Sequence, residues 1–247
     1  MLEGEHASIC EIAKHKPALT VVPVAQGRFE DAHEPTYFFL MEFLDIITGA
    51  GEPSRLCREL ADLHATSVSP TGQFGFHRAT YHGALRQDTT WEASWAKLFG
   101  RLLRLFLGYE MDANGPTSDG RYETEFEKLL EVTVDRLLVP LQSDGRSIKP
   151  CLVHGDLWHE NVATERDTGQ PKIFDASSFY AHHEYELGMW RRPAIKFDEL
   201  YFKEHLRCFP PSAPEDQWDD RNRLYCIHFE LAMSTGWAGE AQSSRNT

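Results

Sequence analysis

The tightest constraint on this chain is an eight-residue polar loop, His154-Gly155-Asp156-Leu157-Trp158-His159-Glu160-Asn161, set between apolar runs. Upstream, Cys151-Leu152-Val153 is short and apolar enough to be a buried strand that delivers the loop. Downstream, Val162-Ala163 and Lys172-Ile173-Phe174 predict the two arms of a hairpin turning at Asp167-Thr168-Gly169. Such a hairpin carries Asp175 back beside Asn161. Strand, loop, hairpin and terminal aspartate in that order bring two carboxylates and an amide oxygen to one place.

Those groups suit phosphoryl transfer, which needs a carboxylate beside the attacking hydroxyl and oxygen ligands that hold Mg²⁺ against nucleotide phosphates. Asp156 is placed to accept or orient the hydroxyl proton as a general base. Asn161 offers a neutral carbonyl oxygen and Asp175 an ionised carboxylate, both hard ligands of the kind Mg²⁺ prefers. Gly155 permits a tight backbone path, and His154 is expected to brace the loop. His, Asp and Asn are also ordinary loop formers; the spacing and flanking strands favour the catalytic reading.

Composition narrows the partners. A net charge of −13 argues against nucleic acid or an anionic membrane surface, which are bound through clustered Lys and Arg. It is compatible with a cationic substrate. Apolar runs such as Tyr37 to Met41 are too short to span a bilayer, and no charged-then-apolar leader opens the chain, so a cytoplasmic location is expected. Five scattered cysteines without a CxxC pair predict reduced thiols. Among 12 histidines, His182-His183-Glu184 is the one tempting metal cluster, but no i, i+4 His pair accompanies it. The oligomeric state is not legible.

Longer segments resemble a known family. The run HGDLW…NVA, followed by IFDASSFYAHHEYEL, is similar to the fructosamine-kinase family of ketosamine 3-kinases, including protein-ribulosamine 3-kinases. So are Gly4-Glu5-His6-Ala7-Ser8-Ile9, Phe74-Gly75-Phe76-His77 and Trp91-Glu92-Ala93-Ser94-Trp95, and the resemblance runs from about the first residues to about Trp237. Gly155 and Asp175-Ala176-Ser177 differ from the HRD and DFG triplets of ordinary protein kinases. Ala176 stands where the family more often has proline. The resemblance implies an α+β, protein-kinase-like two-lobed fold, within the aminoglycoside-phosphotransferase-like group. It implies ATP and Mg²⁺, transfer of the γ-phosphoryl group to the 3-hydroxyl of a ketosamine on a lysine amine of a protein or small molecule, and hence protein deglycation. Trp158 and, less directly, His154 are candidates for the sugar-pocket wall. Glu184 and Glu186 either face a cationic substrate or brace the core.

On this frame residues 2–15, with Glu5, Ile9, Ile12 and Ala13 at helical spacing, form an amphipathic helix. Val21 to Phe29 and Thr36 to Phe43 form strands around a turn at Asp31 to Pro35. Helices are expected over 53–66, 91–109 and 121–141, and Glu215 to Asp220 as an acidic helix start. The lobe boundary falls near residues 42–46, which gives residues 1–45 to a partial N-lobe and 46–247 to a mainly helical C-lobe. Backbone groups of Glu42, Phe43 and Leu44 would meet the adenine edge, with Met41 behind. A kinase also uses a glycine-rich loop and a strand lysine that pairs with a helix glutamate. Glu5 matches that glutamate, with Glu3 as the alternative, but the first lysine is Lys14, late in the same helix. The expectation is a truncated N-lobe, a shortened C-terminus and slow or absent turnover. Two further readings are a kinase for another small hydroxyl compound, of aminoglycoside or choline type, and a non-catalytic binding module.

Overall fold

The computed structural model describes residues 1–31, 33–49 and 51–236; Trp237 and the polar tail from Ala241 lie outside them. The chain opens with α1 (Leu2–His15), whose Ile9 and Ile12 are buried one turn apart. An antiparallel pair follows, β1 (Pro23–Arg28) and β2 (Tyr37–Met41), in the register Arg28 to Tyr37. β1 begins two residues later than the apolar pattern suggests, because Pro23 opens the paired segment.

After Met41 the chain runs through an unpaired stretch into β3 (Ile46–Thr48), and then into α2 (Pro53–Thr66), where Pro53 occupies the first helical turn without the loss of a needed N–H. A short hairpin, β4 (Tyr81–His82) and β5 (Leu85–Arg86), precedes the long helix α3 (Trp95–Asn114). α3 starts four residues after the expected Trp91. Phe74 and Glu92 exchange both backbone hydrogen bonds, which holds that segment extended, and the Ser94 hydroxyl then caps the helix by accepting from Lys97 N–H. Residues 121–141 are helical throughout, but not uniformly α. α4 (Arg121–Lys128), a π turn (Leu129–Thr133), α5 (Val134–Leu138) and a 3₁₀ turn (Val139–Gln142) succeed one another, the last at Pro140, which has no N–H to continue the ladder.

β6 (Cys151–Val153) lies in the interior and pairs with β9 (Phe179–Ala181), a strand that the periodicity does not announce. The hairpin of β7 (Val162–Glu165) and β8 (Pro171–Ile173) turns at Gly169, which sits at φ +66°, and β3 joins it as a third strand through Thr48 and Ala163. A 3₁₀ turn (His183–Tyr185) leads into α6 (Glu186–Trp190), and α7 (Glu199–Cys208) and α8 (Trp218–Gly236) close the chain. α8 packs against α3 and α6, and α2 against α7, with Trp95, Phe99, Tyr185, Tyr225 and Phe229 at the centre of the core. Gly188 lies so close to Tyr225 that a Cβ there would collide with it, which sets how tightly α6 and α8 approach.

All five cysteines are free. The donor atoms of His182, His183 and Glu184 lie within 4.8 Å of one another, yet those of His182 and Glu184 are committed elsewhere. His182 contacts Tyr225 Oη and Ser212 Oγ through its two nitrogens, and both Glu184 oxygens receive the Arg221 guanidinium at 2.7 and 2.8 Å. Glu184 is a fully buried brace rather than a substrate contact. Among the described residues no helix is long and apolar enough to cross a membrane.

Candidate active site

The polar loop between β6 and β7 is held from below by Glu186. Its two oxygens accept the amides of His154 at 2.5 Å and Gly155 at 3.0 Å. Burial pushes the Glu186 carboxyl above its usual range, against the pull of those two amides. Gly155 sits at φ +84°, where a Cβ would also strike the Ser177 carbonyl; both facts require glycine. His154 is fully buried, so it is not a sugar contact. Its Nε2 is 2.8 Å from the Phe174 carbonyl and its Nδ1 accepts the Asp156 amide at 3.3 Å, a pattern that suits a neutral ring with the proton on Nε2. His154 therefore ties the loop to the residue just before Asp175.

Asn161 donates its amide nitrogen to the Asp156 carbonyl at 2.9 Å, which leaves its side-chain oxygen for another partner. The Phe174 amide meets the Asn161 carbonyl at 3.2 Å, so the hairpin closes as its spacing suggests. Asp175 then turns outward at φ +56°, a left-handed conformation that few non-glycine residues adopt.

Asp156, Trp158, Asn161 and Asp175 line one cavity of about 370 Å³ together with Met1, Glu5, Tyr81, Gly83 and Ala176. Glu5 reaches it because α1 is docked on the segment after β8. Ser8 Oγ accepts the Ser178 amide at 3.0 Å, and the Tyr180 hydroxyl donates to Glu11 at 2.7 Å. Gly4 brings α1 so close to Ala79 that no side chain fits between them. The alternative, Glu3, is largely exposed and lies 4.0 Å from Arg78. Partial burial, together with the charge and hydrogen bond of Asp175, raises the Glu5 carboxyl to about 7.

A second cavity of about 510 Å³ lies on the β3–β7–β8 side, lined by Ile46, Thr48, Gly49, His159, Glu160, Val162, Ala163, Phe174, Lys196 and Tyr201. Asn161 and Asp175 are the neighbours of its lining residues in the chain, so the two cavities flank the same pair. Neither lining includes Met41, Glu42, Phe43 or Leu44. Glu42 gives its amide to Val22 and takes the Val22 amide on its carboxylate, while Phe43 is 93% exposed. Sequence reasoning missed Tyr81, Gly83 and the residues after Ile46, because no periodic pattern or motif marks the short β4–β5 hairpin or the entry of β3 into the sheet.

Solved structures with the same architecture place the fold in the protein-kinase-like class. A protein from Thermobifida fusca assigned as a fructosamine-3-kinase superposes with a TM-score of 0.71 at 18% identity, covering 99% of this chain and 77% of its own. An aminoglycoside phosphotransferase, solved with AMP-PNP and hygromycin B, superposes at 0.64 and 16% identity, covering 98% of this chain and 78% of its own. Within that class the chain belongs to the fructosamine kinase family, whose model matches residues 1–247. A protein-ribulosamine 3-kinase of Oryza sativa subsp. indica is 32% identical over 83% of this chain and 57% of its own length. A ketosamine-3-kinase of Mus musculus is 32% identical over 76% of this chain and 64% of its own length. The chain thus spans roughly three-fifths of these curated relatives.

Proposed function

We propose that this chain carries the phosphoryl-transfer site of an ATP-dependent ketosamine 3-kinase, which acts on ribulosamine- or fructosamine-type adducts of lysine amines. The observation that carries the reading is the convergence of Asp156, Asn161 and Asp175 on one cavity, from two loops held together by His154 and Asn161.

In this reading Asp156 accepts the proton of the sugar 3-hydroxyl or orients it for attack. The Asn161 side-chain oxygen and the Asp175 carboxylate are the Mg²⁺ ligands, a hard-oxygen set suited to that ion. Glu5 supports the assignment, because its carboxyl, raised to about 7 by burial and by the neighbouring Asp175, marks a place where positive charge is wanted. When bound, Mg²⁺ supplies charge neutralisation of the transferring phosphoryl group. The 510 Å³ cavity has the size for a nucleotide, and its lining mixes apolar residues such as Ile46, Val162 and Phe174 with polar ones, among them Lys196, whose ammonium suits a phosphate. Phe43 and Leu44 make no backbone hydrogen bond among the described residues, which leaves their groups available to an adenine edge. The 370 Å³ cavity receives the sugar, with Trp158 as one wall, and its acidic lining suits a cationic lysine-borne adduct.

The test is phosphorylation of a panel of ketosamines and aminoglycosides with ATP and Mg²⁺, followed by ³¹P NMR. The reading expects transfer to ketosamines, with Asp156→Asn slower by on the order of a hundredfold or more. Transfer to aminoglycosides alone, or an Asp156→Asn variant as fast as the parent, would overturn it.

A further inference from the structure

Beside the Asp156 side chain stands a residue that the reading above does not use. His82 ends β4, between Tyr81 and Gly83, both of which line the 370 Å³ cavity; Gly83 turns the hairpin at φ +56°. The imidazole is 8% exposed and packs on α8, 5.7 Å from the Phe229 ring and 6.3 Å from the His228 ring, centre to centre. Its Nδ1 is buried without a hydrogen-bond partner and lies 3.7 Å from Asp156 Oδ1.

The carboxylate has the converse deficit. The backbone amide and carbonyl of Asp156 are both engaged, by His154 and Asn161, but among the described residues its carboxylate accepts no hydrogen bond. A buried donor site without an acceptor therefore faces an acceptor without a donor, a few tenths of an ångström beyond bonding distance. Buried polar atoms are rarely left so. A small rotation of the Asp156 side chain would close the gap, while the imidazole packs on α8 against His228 and Phe229.

We propose that His82 is a positioning residue for Asp156, its Nδ1–H donating to the carboxylate and aiming the other oxygen at the acceptor hydroxyl. The proposal deepens the kinase reading and rests on it. A correctly aimed base matters because misplacement by about an ångström costs on the order of a hundredfold in rate.

The experiment compares the full chain with His82→Phe, which keeps the packing and removes the donor, and with His82→Asn, whose amide nitrogen replaces Nδ1. Expected are a kcat lower by on the order of ten- to a hundredfold in His82→Phe, with an unchanged ketosamine KM, and recovery of most of it in His82→Asn. Equal kcat in all three overturns the proposal, as does an equal loss in both variants. A second measurement needs no turnover: the imidazole ¹⁵N spectrum of His82 in the parent and in Asp156→Ala. A protonated Nδ1 that shifts on loss of the carboxylate is expected; an unprotonated or unmoved Nδ1 overturns the proposal. If the parent phosphorylates nothing, the kinase reading fails, and the ¹⁵N spectrum still decides whether His82 holds Asp156.

Discussion

At the scale of single residues, the site is defined by which polar atoms are already satisfied. His154, Glu186 and the amide nitrogen of Asn161 spend their hydrogen bonds inside the protein, so they build the loop and do not meet ligand. In the proposed reading Asp156, Asp175 and the Asn161 oxygen are the groups left for chemistry. Glu5 reports on them. Its carboxyl is raised to about 7, by burial first and by Asp175 next, so between pH 4.5 and about 7 the folded state binds a proton that the unfolded state releases. The stabilisation from this group is present in full below pH 4.5 and is lost as pH rises through about 7. A divalent cation at the pair competes with the same proton. Titration of Mg²⁺ at about pH 6.5, in buffers of different ionisation enthalpy, should show proton release in the parent and none in Glu5→Gln; identical release from both would contradict the shared site.

At the scale of elements, α1 matters through how it is pinned. Ser8 is fully buried, and its hydroxyl accepts the Ser178 amide while donating to the Gly4 carbonyl at 2.8 Å. Ser8→Ala leaves the Ser178 amide unsatisfied and should cost about 1–3 kcal/mol. Urea denaturation measures that cost, and faster hydrogen exchange across residues 2–15 would locate it; exchange unchanged there would mean that Ser8 does not pin the helix. Elements also show where local pattern suffices. α1 at 2–15 and α2 at 53–66 match their expected limits, since buried positions recur at helical spacing and the ends carry clear signals. β9 and the β4–β5 hairpin were not legible. Three or fewer residues each, they owe their extended form to partners: β9 to β6, and β4 to β5. The expected helix over 121–141 forms as one continuous helical run, with Phe126, Leu130, Val134 and Leu137 on its buried face at ordinary helical spacing; the π turn within it is a local bulge that no sequence signal announces.

At the scale of the whole molecule, one buried ion pair joins distant parts of the chain. Arg221 of α8 grips Glu184 through two bonds, and also donates to the carbonyls of Pro214 and Ser212; both charged residues are fully buried. Glu184 sits one residue from Tyr185 and two from Glu186, so the same clamp fixes the segment that supports the catalytic loop. Removal of one partner from such a pair leaves a buried, uncompensated charge. Arg221→Ala should therefore lose about 3–5 kcal/mol of stability, measured by chemical denaturation. A loss under about 1 kcal/mol would show that water or another cation reaches Glu184.

Local pattern alone is enough to read the loop from His154 to Asn161, the hairpin that returns Asp175, and the two helices whose apolar faces repeat every turn. These depend on near neighbours: turn residues, strand alternation and helical spacing act within a few positions of one another. Long-range packing settles instead that Glu5 rather than Glu3 reaches the site, that Glu186 holds the loop, and that His82 lies beside Asp156. In each case the partners are separated by tens to more than a hundred residues. Their meeting depends on how α1, α6 and the β4–β5 hairpin pack on a shared core, which no local pattern encodes.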